Sequence, residues 1–195
     1  MKESVPLLIL DLDETLIYGA EREWPRLCDF PVGPFYVYKR PHLDEFLRGA
    51  GKHYRLAIWS SASSGYVAAI ARTIVPFGLE WAFVWCRDRC TAKLNAETFE
   101  TEYIKNLKKV KRAGFDLARV LVVDDTRYTA GRNYGNAIYV APFEGDPGDE
   151  ELPLLLKYLE SLVGFENFRA IEKRGWRSRI ANSEVAQQGS GKGGL

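Results

Sequence analysis

The segment Asp11-Leu12-Asp13-Glu14-Thr15 sets two carboxylates two positions apart, directly after the apolar run Val5–Leu10. On extended backbone, residues i and i+2 point the same way, so Asp11 and Asp13 are expected to face one site. A second acidic pair, Asp124-Asp125, closes another apolar run far away in sequence, Arg119–Val123. If the two runs are parallel strands, all these carboxylates sit at the carboxyl edge of the sheet, where open α/β sheets bind ligands. Several anions in one crevice repel one another, and burying them uncompensated is costly, so a hard cation is the expected partner. Oxygen donors select magnesium over zinc. With that cation and a lysine reducing the repulsion between anions, a carboxylate can attack phosphorus. Asp11 is the expected nucleophile. Asp13 is placed to protonate the leaving oxygen and later to deprotonate the water that splits the acyl phosphate, with its pKa raised by the neighbouring anions. Thr15 is expected to hold Asp13 by a hydrogen bond. An isolated Asp-x-Asp-x-Thr is more often a plain strand-end turn. The apolar strand before it and the distant acidic pair weigh against that reading.

Five short apolar segments must position these groups: Val5–Asp11, Arg55–Trp59, Trp81–Cys86, Arg119–Asp124 and Ala137–Val140. Continuous apolar runs of this length fit strands of a parallel sheet covered on both faces. Helical patterns lie between them, at Pro41–Gly49, Ser63–Val75, Thr101–Ala113 and Glu150–Val163, the last with a potential break at Pro153. Strands alternating with helices predict an α/β fold, a Rossmann-like parallel sheet with helices on both faces. Two stretches break the rhythm. Tyr18–Val37 is rich in Pro, Gly and aromatics, and Phe77–Phe99 carries Trp81, Trp85, Cys86 and Cys90. Long loops after sheet strands are commonly functional walls or lids. Residues 1–183 read as one domain, and the Gln-, Gly- and Ser-rich tail 184–195 reads as disordered.

The bulk numbers exclude several classes. The chain has 195 residues, 46% hydrophobic and 27% charged, which suits one globular domain and not a disordered segment. A formal net charge of +1 provides no strong field that would select nucleic acid or membrane. The three cysteines, Cys28, Cys86 and Cys90, are too few for a disulfide scaffold. Cys86 and Cys90 are close together, but His42 and His53 are not at zinc-ligand spacing, so reduced structural thiols are expected. No stretch approaches the roughly 20 apolar residues of a membrane span, and the start lacks the pattern of a signal peptide. A cytoplasmic enzyme is the expectation.

Asp11-Leu12-Asp13-Glu14-Thr15-Leu16 resembles the first motif of haloacid dehalogenase (HAD) superfamily phosphatases. More narrowly, Tyr36-Val37-Tyr38-Lys39-Arg40-Pro41-His42-Leu43-Asp44-Glu45-Phe46-Leu47 is similar to a segment of the NIF-like phosphatases, the small phosphatases of the RNA polymerase II C-terminal domain. The resemblance runs from about Leu7 to Leu162. It implies a HAD fold with no large cap and a small aromatic-rich insertion near 77–99. It implies Asp11 as nucleophile and metal ligand, and Asp13 as general acid/base with its backbone carbonyl on magnesium. Ser60, where the family usually has Thr, would donate to the phosphate, or Ser61 would in its place. Ser60 also suits a helix cap. Lys105 would bind the phosphate and Asp11, although on pattern alone it is a solvated helix lysine. Asp124 and Asp125 match the fourth motif as metal ligands. Arg87 falls near a family arginine beside the substrate. Thr126-Arg127-Tyr128 departs from the family's Ser-Pro, which bears on substrate fit.

The resemblance implies a phosphoserine or phosphothreonine protein as substrate. The open site also suits other macromolecular phosphate ends, and a nucleic-acid end is the less favoured of these. Trp81, Phe83 and Trp85 form either an apolar wall for substrate or, with more weight, a half-buried strand. The basic stretch Arg169–Arg179 reads first as a solvated terminal helix and second as a contact for nucleic acid or a phosphorylated partner. Two other readings compete with a magnesium-dependent phosphatase. A catalytically silent binding module would be expected to lack Asp11 or Asp13, and a receiver domain would place its acidic pair on the first strand. A phosphotransferase differs only in its acceptor.

Overall fold

The computed structural model describes residues 5–96, 99–127 and 131–180. The tail beyond 183, Tyr128 and the first four residues lie outside the described residues. The central sheet contains β1 (Leu7–Leu10), β5 (Arg55–Trp59), β6 (Val84–Trp85), β9 (Val120–Asp124) and β10 (Ala137–Tyr139), all parallel, in the order β10-β9-β1-β5-β6. The register sets Leu10 between Ile58 and Val123. Asp11 continues it by donating its N–H to the Val123 carbonyl at 3.0 Å. β1 and β9 therefore end side by side, and the two acidic segments emerge together.

Every residue of β1 and β9 is buried, because both faces of the sheet are covered. Leu8 and Leu10 pack with helices α1 (Leu43–Gly51), α2 (Ser64–Ile74) and α4 (Glu151–Ser161). Leu7 and Ile9 face the other way, onto Trp59, Cys90 and the short α3 (Lys108–Arg112). This double coverage removes the polar alternation of a one-sided strand, which is why both strands read as unbroken apolar runs.

The structure corrects four sequence expectations. Tyr18–Val37 is loop only in part: residues 21–29 connect β2 (Ile17–Ala20) to β3 (Phe30–Val32), and these two strands with β4 (Phe35–Lys39) form a three-stranded antiparallel sheet. Thr101–Ala113 is not one helix. Its first part is β8 (Thr101–Ile104), paired with β7 (Thr91–Leu94), and only Lys108–Arg112 is helical. The first helix starts at Leu43, two residues after Pro41. Pro153 leaves α4 unbroken, because in the first turn its N–H has no helical partner to lose. The aromatic insertion packs as a half-buried strand would. Phe83 stacks on Trp85 with ring centroids 4.1 Å apart, Trp85 meets Trp59 edge-on, and the Trp81 indole donates to the Ala71 carbonyl at 2.9 Å.

Candidate active site

The loop Asp11–Leu16 turns sharply behind β1. The Leu12 carbonyl accepts from the N–H groups of Thr15, Leu16 and Ile17. Glu14 has φ 58°, a left-handed conformation that side chains rarely adopt. The Glu14 carbonyl in turn accepts from Phe143 N–H at 2.6 Å. Arg40 locks the turn from below. Fully buried, it donates to the Thr15 carbonyl at 3.1 Å and makes two 2.7 Å bonds to Asp149. The Asp149 carboxyl is partly buried, which alone would raise its pKa, but the Arg40 bonds outweigh that and hold it below the usual range.

This pair yields a prediction. A carboxylate with a depressed folded pKa stabilises the fold above its unfolded pKa, near 4, and loses that contribution as pH falls through the folded value. Asp149→Asn should therefore cost about 3 kcal/mol at pH 7, and the gap to the wild type should close in acid below pH ~4. Urea unfolding at the two pH values measures it. An equal gap at both would assign the bond no ionic character.

At the carboxyl end of the sheet, Lys105 lies between two carboxylates, with its ammonium 2.5 Å from Asp11 Oδ1 and 2.7 Å from Asp124 Oδ2. It sits in the loop between β8 and α3, not on a helix face, and Asn133 anchors its carbonyl at 2.5 Å. Burial pushes the Asp11 carboxyl well above the ordinary range. Lys105 works against burial, while Asp124 and Asp13 add to it. Burial alone would lower Lys105, but the two carboxylates outweigh it and keep the ammonium charged.

Asp11, Asp124 and Asp125 each offer a carboxylate oxygen, all within 4.8 Å of one another. Three carboxylates against one ammonium leave two negative charges, and every donor is oxygen. These residues fit a hard divalent cation such as magnesium. The Asp13 side chain is not part of this cluster. It accepts instead from Tyr66 Oη at 2.7 Å and, more weakly, from Ser60 Oγ at 3.5 Å. Burial raises the Asp13 pKa, with the Tyr66 bond acting against it.

Thr15 does not hold Asp13. Its hydroxyl donates to Asp125 Oδ1 at 3.0 Å and steadies the acidic pair instead, because the turn at Glu14 carries it to the β9 side. Ser60 is buried at the end of β5 and accepts from Ala62 N–H at 3.0 Å in a local turn, beside Asp13; it does not cap α2, whose N-cap is Ser63. Ser61 contributes its carbonyl, which accepts from Arg87 Nε at 2.7 Å. Arg87 is exposed at the rim, over the Tyr103 ring. Asp11, Asp13, Ser60, Lys105, Asp124 and Asp125 thus converge, with Ser61 and Arg87 on the border.

Tyr66, on the first turn of α2, is the residue the sequence reading missed. Its ring meets Phe35 of β4 edge-on at 5.4 Å, and Gly19 of β2 makes room for it: a Cβ there would lie 2.6 Å from Tyr66 Oη. A tyrosine at a helix start carries no signal of this use, although a glycine inside a strand marks a close approach. Tyr66→Phe removes one hydrogen bond to a carboxylate, an interaction of about 1.5–3 kcal/mol. A fall in kcat of about tenfold or more with little change in KM is expected, read from steady-state kinetics. An unchanged kcat would reduce the bond to packing.

Comparison with known proteins bears on the family and on the fold. The model of the family described as NLI interacting factor-like phosphatase matches residues 6–169. The human carboxy-terminal domain RNA polymerase II polypeptide A small phosphatase 1 is 30% identical over 162 residues, covering 80% of this chain and 58% of that protein. The mitochondrial import inner membrane translocase subunit tim50 of Emericella nidulans is 30% identical over 158 residues, covering 80% of this chain and 26% of that one. This chain therefore spans under two thirds of either relative. The structure of a variant of the fission yeast RNA polymerase II CTD phosphatase Fcp1 bound to beryllium fluoride is similar with a TM-score of 0.55 at 21% identity, covering 94% of this chain and 50% of that chain. It supports the α/β fold expected from the sequence. No helix among the described residues is long and apolar enough to cross a membrane.

Proposed function

We propose, since the chain belongs to the NLI interacting factor-like phosphatase family, that it is a magnesium-dependent phosphatase acting on phosphoserine or phosphothreonine in a protein through an aspartyl-phosphate on Asp11. The observation that carries this reading is the buried Lys105 held between Asp11 and Asp124, with Asp13 beside them on hydrogen-bond donors of its own. Nucleophile and proton donor thereby have different partners.

Magnesium held by Asp11, Asp124 and Asp125 would supply a divalent charge against the anionic phosphoryl oxygens. The chain's own groups then account for the rest. An Asp11 oxygen attacks phosphorus as the ester P–O bond breaks, and Asp13 gives its proton to the departing serine or threonine oxygen. The raised Asp13 pKa favours the protonated form that this step needs. Lys105 neutralises charge on Asp11 and the transferred group. In the second half Asp13 takes a proton from water, whose oxygen attacks phosphorus and releases Asp11. Ser60 is close enough to Asp13 to donate to the phosphate beside it. The Phe35 and Tyr66 rings, edge-on beside Asp13, would flank the residue next to the phosphorylated one. A protein of the cytoplasm fits this reading.

The test is phosphate release from p-nitrophenyl phosphate and from a phosphopeptide panel, with and without magnesium. Metal-dependent release is the expected result. Folded, magnesium-supplied protein that binds phosphopeptides and releases nothing would make the chain a binding module.

A further inference from the structure

Beyond β10, on the edge strand of the sheet, a cavity of about 200 Å³ is lined by Arg127, Lys173, Arg174 and Arg177 together with Tyr139 and Trp176. It adjoins the catalytic edge. Tyr139 pairs with Asp124 in the sheet, Arg127 lies two residues after Asp125, and the Tyr139 hydroxyl donates to the Arg127 carbonyl at 3.3 Å. The Trp176 indole donates to the Tyr139 carbonyl at 2.9 Å and fastens the basic C-terminal segment to this strand. Resting on the phosphatase reading above, we infer that this cavity is an anion subsite that receives a second phosphate of a doubly phosphorylated protein segment.

The charge balance of the cavity points to an anion. Four cations line it, and two carboxylates, Glu151 and Glu172, answer them. Glu172 takes the Nε and one terminal nitrogen of Arg174, and Glu151 takes the same pair on Arg177. The second terminal nitrogen of each guanidinium keeps its protons for a ligand. Arg127 is exposed and, among the described residues, meets the Tyr139 ring at 5.4 Å and no carboxylate. Lys173 plays a structural part. Its ammonium donates to the carbonyls of Gly135, Phe168 and Ile171, so all three protons are used. Planar guanidinium forks suit phosphate oxygens.

The occupant's spacing follows from the sheet. The order β10-β9-β1 sets the cavity edge two strand spacings from Asp11, about 10 Å. An extended peptide covers that in about three residues and reaches into the cavity in about four. Peptide is favoured over nucleic acid because a formal net charge of +1 gives the chain no strong field for a polyanion. Of the aromatic rings beside the cations, Trp176 is 2% exposed and stacked on Tyr158, while Tyr134 is 47% exposed with the Arg174 guanidinium 5.5 Å from its centroid.

The experiment compares peptides bearing one phosphoserine with peptides bearing a second, placed two to seven residues away on either side. It reads kcat/KM and, by fluorescence anisotropy, binding. Wild type should favour a partner phosphate three to four residues away by about tenfold, less at high salt. Arg127→Glu and Arg174→Ala should each reduce that preference several-fold and leave p-nitrophenyl phosphate turnover unchanged. No preference at any spacing, or a preference that both variants retain, overturns the subsite. A 5′-phosphorylated oligonucleotide that outcompetes the doubly phosphorylated peptide and loses that advantage in Arg127→Glu also overturns it. Absence of p-nitrophenyl phosphate turnover by the wild type would instead count against the phosphatase reading, and the anisotropy data would still decide the subsite.

Discussion

Asp11→Asn should reduce turnover by about 10⁴-fold or more, the scale seen when a covalent nucleophile is removed, while the protein stays folded. The amide is nearly the same size as the carboxylate but cannot attack phosphorus. Loss of activity through unfolding is not expected, for an electrostatic reason. Lys105 serves two buried carboxylates, and burial raises the Asp11 pKa well above the ordinary range, so the folded state bears a cost in keeping Asp11 ionised. A group with a raised folded pKa contributes its stability below the unfolded value, near 4, and loses it as pH rises. At neutral pH the asparagine removes that cost and leaves Lys105 paired with Asp124 alone. The variant should melt at or above the wild-type temperature in metal-free buffer. It should gain less from added magnesium, since one of three carboxylate ligands is gone. Turnover close to wild type would rule out Asp11 as the nucleophile. A marked drop in melting temperature would mean that the pair with Lys105 is structural first.

Lys105→Met should be the most destabilising single change in the site. The ammonium is fully buried and bonded to two carboxylates that are themselves buried. Removing one partner of a buried ionic cluster costs about 3–5 kcal/mol, because the remaining charges lose their compensation. Here two anions would face each other, with Asp125 close by. The sign with pH is set by Asp11, whose pKa rises further without the lysine. Protonation relieves the repulsion, so the deficit against wild type should be largest above neutral pH and should shrink toward pH 4. Magnesium should restore part of the lost stability even where turnover stays low. Urea midpoints at two pH values, with and without magnesium, read all three effects. A variant as stable as wild type at pH 8 would place the ammonium in solvent and dissolve the cluster.

The legible parts of the chain were those whose signals are local. Arg55–Trp59 is a strand with the expected bounds because the four-residue apolar run Leu56–Trp59, flanked by Arg55 and Ser60, has few alternatives. Thr101–Ala113 misled because Tyr103, Leu107 and Val110 lie at helical spacing, while the partner of Thr101–Ile104 is the hairpin strand Thr91–Leu94. Strand pairing is a property of two segments, and one of them read alone does not show it. The same holds for Tyr18–Val37, where aromatics and prolines resembled a loop until paired as β2, β4 and β3.

For the site, the sequence by itself determined the donors on offer: carboxylates at two strand ends, two of them spaced two residues apart, all of them oxygen donors of the kind that suits magnesium. It could do so because i, i+2 geometry and strand termination act over a few residues. Only the tertiary structure decided which groups serve which carboxylate. Thr15 turned to Asp125 and Tyr66 to Asp13, while Arg40 found Asp149 across 109 positions of chain. The physical reason is the range of the forces involved. A hydrogen bond or buried ion pair acts over about 3 Å of space, and only the packed sheet and its crossovers bring residues so distant in sequence within that reach.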